Sequence, residues 1–210
     1  MGVRNVYGGQ DLQLLGAGAT SNTQTKFGTT SVYVSGDATA VKYNDFKGFG
    51  PSENFCIETW FYPTTWNADG RIFDIGKTDG ATTNQLVLNT NGTTGNIQVW
   101  GHNAARITTT IPGQTYLHGW HHFAVQRVDG TLGLYIDGVE KGIHSSNTDE
   151  IYSSPSHNLI IGDSNKSIAA NGSIGYYDDF RITRGQVYPL TSKSSFSFDG
   201  TDDHLSTADH

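Results

Sequence analysis

The sequence predicts an all-β protein built as a two-sheet antiparallel sandwich, and three observations predict it. Roughly a dozen short runs alternate apolar with polar residues, the period of half-buried strands. Turn chemistry separates them: the 210 residues include 26 Gly but only 5 Pro, with Asn-Gly at 91–92 and Asp-Gly at 129–130 and 137–138. No amphipathic run of helical period lasts beyond a turn or two. The length suits one large β domain that buries a core without staples. The 4 Trp, 10 Tyr and 10 Phe supply material to pack, which a disordered Gly/Ser/Thr-rich chain lacks.

In chain order, residues 1–20 are Gly-rich around one apolar stretch, Leu12 to Leu15. TTSVYVS (29–35) alternates and reads as a strand closed by Gly36-Asp37, and residues 39–43 read as another. Pro51-Ser52 marks a turn before FCIETWFYP (55–63). There Phe55, Ile57, Thr59 and Phe61 share one face, and Cys56, Glu58, Trp60 and Tyr62 the other. Large apolar groups on both faces predict a central strand covered, at least in part, on both sides. RIFDIG (71–76) is a strand, Lys77 to Thr83 a polar loop, and QLVLN (85–89) a strand. Asn91-Gly92 turns into a strand at 96–100, and another follows at 106–111.

The strongest signal spans residues 117–139. Trp120, His122, Ala124 and Gln126 point one way, and His121, Phe123, Val125 and Arg127 the other. Asp129-Gly130 then makes a type I′ turn into Thr131 to Ile136, and Asp137-Gly138 leads into a third strand. Short strands follow at 158–161 and, after a Ser/Asn/Gly-rich loop, at 175–183.

The net charge of −7 argues against nucleic acid, whose phosphates it would repel. No apolar run approaches the ~18 residues that span a bilayer, so membrane insertion is not expected. The N-terminus carries no apolar signal core. Cys56 stands alone, so no intrachain disulfide can form, and its strand context predicts a small core residue.

The chemistry-bearing residues favour binding over catalysis. Glu58 and Asp74 stand alone on their strands, and Asp178-Asp179 are adjacent strand residues, which point to opposite faces and so cannot flank one glycosidic bond. His121 and His122 diverge for the same reason and read as framework rather than as zinc ligands. Sugars stack their C–H faces on exposed aromatics, with small polar side chains fixing hydroxyls. The candidates for that role are Trp66 in a polar loop, Trp100 beside His102 and Asn103, and Tyr152 in a Ser-rich loop. Trp60 and Trp120 are expected in the core.

Six pieces in order then carry a resemblance: KFGTTSVYVSGD (26–37), FCIETWFYP, RIFDIG, GWHHFAVQRVDGTLGLYIDGV (119–139), LIIGD (159–163) and GYYDDFRITRG (175–185). The chain resembles the laminin G-like branch of the concanavalin A-like jelly rolls, and is pentraxin-like overall. RITRGQVY looks like copies of this domain in tailed-phage virion proteins and bacterial surface proteins. The resemblance implies a jelly roll over residues 1–190. Through the pentraxins it implies calcium as a candidate cofactor, held by Asp79, Asn84, Asp163 and Asn165 in two loops. Some relatives cleave polysaccharides with paired carboxylates, a pattern this sequence lacks.

Two departures stand out. The family opens with an apolar strand running into Phe-Asp-Gly beside the last strand, and nothing before residue 26 matches it well. The chain also continues past the last family strand. Its C-terminal segment (191–210) includes SFSFDGTDDHLSTADH, which aligns on residues 31–46 and sets Phe196, Phe198 and Leu205 on Val32, Val34 and Val41. That segment is expected to act as a strand, filling a vacant position in its own subunit or pairing with a neighbour.

The resulting expectation is a non-enzymatic structural or adhesion module outside a cell or on a virion, foremost a tailed-phage structural protein that self-associates as a homo-oligomer. The alternative is a carbohydrate-binding, lectin-like module from a tandem bacterial adhesin, with a surface glycan as partner.

Overall fold

The structure is a computed structural model. It describes residues 12–16, 19–36, 39–43, 46–77, 85–149, 151, 157–164 and 172–185. Among them, fourteen strands form two antiparallel sheets of seven. Sheet one runs β1 (Leu12–Leu15), β4 (Ala40–Tyr43), β13 (His157–Ile161), β6 (Arg71–Lys77), β7 (Leu86–Thr90), β8 (Asn96–Gly101) and β9 (Ala104–Pro112). Sheet two runs β12 (Val139–His144), β11 (Thr131–Ile136), β10 (His121–Val128), β5 (Phe55–Thr65), β14 (Ile174–Arg184), β3 (Ser31–Ser35) and β2 (Ala19–Ser21). Among the described residues the only helix is a single 3₁₀ turn, Gly113–Tyr116.

The core lies between the sheets. Sheet two contributes Phe55, Ile57, Phe61, Phe123, Val125, Leu134 and Tyr177, and sheet one contributes Phe73, Ile75, Leu88 and Val99. The alternation in FCIETWFYP holds: Phe55, Ile57, Thr59 and Phe61 are buried, while Glu58, Trp60 and Tyr62 are half-buried on the opposite face. As expected, β5 is central, between β10 and β14. Among the described residues, however, no second sheet lies on its outer face.

Both Asp-Gly turns form with the positive φ angles that type I′ needs, 47° and 74° at Asp129-Gly130 and 54° and 73° at Asp137-Gly138. They set the register Val128↔Thr131 and Ile136↔Val139.

Arg127 is fully buried on the core face over the Phe55 ring. Its guanidinium donates to the carbonyls of Glu53, Asp149 and Gly50 and to Asn147 Oδ1. One cation therefore ties the turns flanking β5 and β12 to the sheet.

The place beside the last strand is not vacant. β3 pairs with β14 at Tyr33↔Tyr176 and Val32↔Tyr177, β2 lies beyond it, and β1 closes the end of sheet one against β4. The SVYVS run is thus itself the strand beside the last one. Phe196, Phe198 and Leu205, with the rest of residues 186–210, lie outside the described residues.

Candidate functional site

The two outer faces differ. On sheet one, Asp74, Val87 and Ile160 lie opposite one another in register and are buried, yet Val87 and Ile160 do not belong to the core cluster. That part of the face is covered. On sheet two the outer face stays half-open and carries most of the aromatic rings that the core does not use.

Those rings form a row across the strands. Tyr33 (β3) opposes Tyr176 (β14), which opposes Tyr62 (β5), and Trp120 stands just before β10 beside Tyr62. Ring centroids are 4.7 Å apart for Tyr33–Tyr176, 6.0 Å for Tyr176–Tyr62 and 5.7 Å for Tyr62–Trp120. All four side chains are half-buried. They sit on adjacent strands because antiparallel register puts paired residues on one face. The row thus extends over about three strand spacings, ~14 Å. Gly175 permits the close packing of β14 on β5, since a Cβ there would lie 2.2 Å from the Tyr62 carbonyl oxygen.

Beside the row lies a charged and aromatic block. The Trp60 ring is 5.3 Å from His122 and meets Phe27 edge-on at 5.9 Å. The Lys26 ammonium sits 3.9 Å above the Trp60 centroid. Glu58 pairs with His122 Nε2 at 3.0 Å and with Arg181 Nε at 3.4 Å, and Arg181 also reaches Asp179 at 3.2 Å. Burial pushes the Glu58 carboxyl up, but the His122 hydrogen bond and the Arg181 charge outweigh it, so its pKa lies below the ordinary value of 4.5.

A bulge in β14 shapes this block. The register shifts between Asp178 and Arg181, and Asp179 takes a φ of 49°. Asp178 faces outward opposite Trp60 but is buried, because its Oδ2 accepts the backbone N–H groups of Lys26 and Phe27 and its Oδ1 that of Asp179. The bulge lets Asp179 reach Arg181 on the same outer side. The expectation that the two adjacent acids diverge fails here, because the strand is irregular at that point.

The other expected residues lie elsewhere. Trp66 is no exposed platform: it packs on the core against Phe61 and Phe123, with its Nε1 buried and unpartnered. Trp100 is half-buried on sheet one, and its Nε1 donates to Gln98 Oε1 at 2.9 Å. His102 and Asn103 are exposed in the β8–β9 turn. Tyr152, Asp79, Asn84 and Asn165 lie outside the described residues.

Asp163 is fully buried and accepts the Ser164 N–H at 2.6 Å. Among the described residues no three His, Cys, Asp or Glu side chains cluster to hold a metal. The described part of the two loops supplies one carboxylate, against the roughly six to eight oxygen ligands calcium takes.

Trp60 and Trp120 belong to the outer face rather than to the core. Their signal was present in the alternation that sets Glu58, Trp60 and Tyr62 on one face. Cys56 is buried, as expected, but in a small outer-face cluster with Ala124 and Tyr135. Burial, reinforced by the Glu58 charge and opposed by Arg181, pushes its thiol up to about 12, so it is unreactive. His121 and His122 serve as framework, His121 bonding Asp137 at 2.7 Å and His122 bonding Glu58.

The comparisons agree with this fold. No curated protein matches the chain. Among solved structures it is similar to domain 4 of a GH43 extracellular arabinanase from Geobacillus stearothermophilus, in complex with arabinotriose, at 17% identity and a TM-score of 0.62, covering 84% of this chain and 80% of that one. It is also similar to the CBM40 of the Ruminococcus gnavus IT-sialidase, bound to α2,3-sialyllactose, at 13% identity and a TM-score of 0.56, covering 76% and 92%. A third is the botulinum neurotoxin serotype D ligand-binding domain in complex with N-acetylneuraminic acid, at 13% identity and a TM-score of 0.61. The alignment covers 85% of this chain but 43% of the toxin domain. At these identities the likeness shows the fold. The family comparison goes further, matching residues 35–189 to the Laminin_G_3 family, described as the Concanavalin A-like lectin/glucanases superfamily. The chain therefore belongs to the laminin G-like branch of the concanavalin A-like superfamily.

Proposed function

We propose that this chain is a non-enzymatic carbohydrate-binding module, displayed outside a cell or on a particle, that lays a sugar chain along the outer face of sheet two. The observation that carries this reading is the row Tyr33–Tyr176–Tyr62–Trp120, whose four rings are half-open on one face. Flat rings take the C–H faces of sugars, and the phenol groups of the three tyrosines offer hydrogen bonds to hydroxyls. Support also comes from arabinotriose, sialyllactose and N-acetylneuraminic acid, each bound by a protein of similar fold. The acids beside the row are engaged: Glu58 and Asp179 by Arg181, and Asp178 by backbone N–H groups. That supports binding without hydrolysis. A glycan array and a reducing-sugar assay on the same glycans test both parts. Binding without release of reducing ends is expected, and release of reducing ends would contradict the reading.

Self-association on a virion is the narrower role that RITRGQVY and residues 195–210 suggest. The described sheet edges disfavour strand pairing as its route. β1 and β2 have 4 and 3 residues, β9 carries register shifts and ends at Pro112, and β12 has a register shift near Lys141. Copies would then meet through faces or through residues 195–210. Calcium stays a proposal of the same kind, and a melting temperature raised by calcium in the parent but not in Asp163→Ala would support it.

A further inference from the structure

We propose that the glycan bound on this face carries a single carboxylate, and that Lys26 reads it. The inference rests on the aromatic row being the sugar platform. On this face Arg181 is spent on Glu58 and Asp179, and His122 on Glu58. Lys26 is different. Its ammonium lies 3.9 Å over the Trp60 ring and 5.9 Å from the Phe27 ring, and no carboxylate among the described residues forms an ion pair with it.

The side chain is exposed, but its position is fixed at both ends. Its backbone N–H is donated to the buried Asp178 Oδ2 at 3.1 Å, and the next N–H, from Phe27, goes to the same oxygen at 2.9 Å. A cation held on an indole face keeps its outward N–H groups for an anion, because the ring interaction uses its charge without using a hydrogen-bond acceptor. Trp60 and Tyr62 lie two residues apart on one face of β5, so the residue whose ring carries this ammonium stands about 7 Å along the strand from the row, roughly one sugar ring.

The net charge of −7 sets the upper limit on the ligand's charge. An acidic protein repels a polyanion over its whole surface, whereas one carboxylate needs only one local cation. The fitting chemistry is therefore a neutral saccharide ending in one acidic sugar.

The test titrates the full chain with α2,3-sialyllactose and with lactose, and with a glucuronic-acid-capped disaccharide and its neutral glucose-capped counterpart. The parent is expected to favour the acidic member of each pair about fivefold, the scale of an exposed ion pair. That preference should shrink with added salt. Lys26→Gln should bring the acidic and neutral members of each pair to equal binding, and Lys26→Arg should restore the preference. Equal binding of acidic and neutral sugars that is lost in Trp120→Ala overturns the role of Lys26 and leaves the platform standing. A preference that survives Lys26→Gln overturns it as well. Binding of none of the four sugars overturns both the preference and the platform.

Discussion

Arg127 shows what a single residue does for this fold. Alternation placed it on the face of Phe123 and Val125, and it lies there. Its complete burial was not legible, because its partners are carbonyls from Gly50, Glu53 and Asp149, remote in sequence. Removing such a cation strands those carbonyls. Arg127→Ala is expected to cost about 3–5 kcal/mol in urea unfolding, and a loss under 1 kcal/mol would contradict the clamp.

Glu58 predicts a pH dependence. Its folded pKa lies below its unfolded one. Its contribution is therefore present above the ordinary glutamate range and fades as pH falls through the lower folded value. Between about pH 5 and pH 3 the parent should lose more stability than Glu58→Gln. Parallel pH profiles for the two proteins would remove Glu58 from this account.

At the scale of elements, the outcome turns on β5 and β14. The sequence made the face of Glu58, Trp60 and Tyr62 plain but not its surroundings. Large apolar groups on both faces suggested a covered strand with Trp60 inside. Instead the outer rings pack on each other and on residues 26–27, and no alternation pattern distinguishes rings that meet a second layer from rings that meet their neighbours. The β14 bulge was equally hidden, since YYDDFRIT reads as a regular strand while Asp179 takes up the extra position. The turns were legible because Asp-Gly has one favoured geometry. Gly175 tests the contact between the strands. A Cβ there meets backbone and the Phe61 ring, at 2.2 Å and 2.7 Å, so Gly175→Ala should destabilise by about 3 kcal/mol or more. Near-wild-type melting would mean that β14 does not approach β5 so closely.

For the whole molecule, the fold was legible and the site was not. The ordered segments identified the sandwich and its family because strand order and turn chemistry are written locally. The site depends on which sheet face stays open, a property of the assembled molecule. Trp66 looked exposed because polar residues surround it in sequence, yet it closes the core. Trp100, His102 and Asn103 sit at one end of sheet one, apart from the aromatic row on sheet two.

That separation allows a direct test. Glycan-array binding is compared for the parent, for Tyr62→Ala/Trp120→Ala and for Trp100→Ala, each checked for folding by circular dichroism. The double variant is expected to lose the parent's glycan signal while Trp100→Ala keeps it. Signal retained by the double variant and lost in Trp100→Ala would return the site to the β8–β9 end of sheet one and contradict the assignment made here.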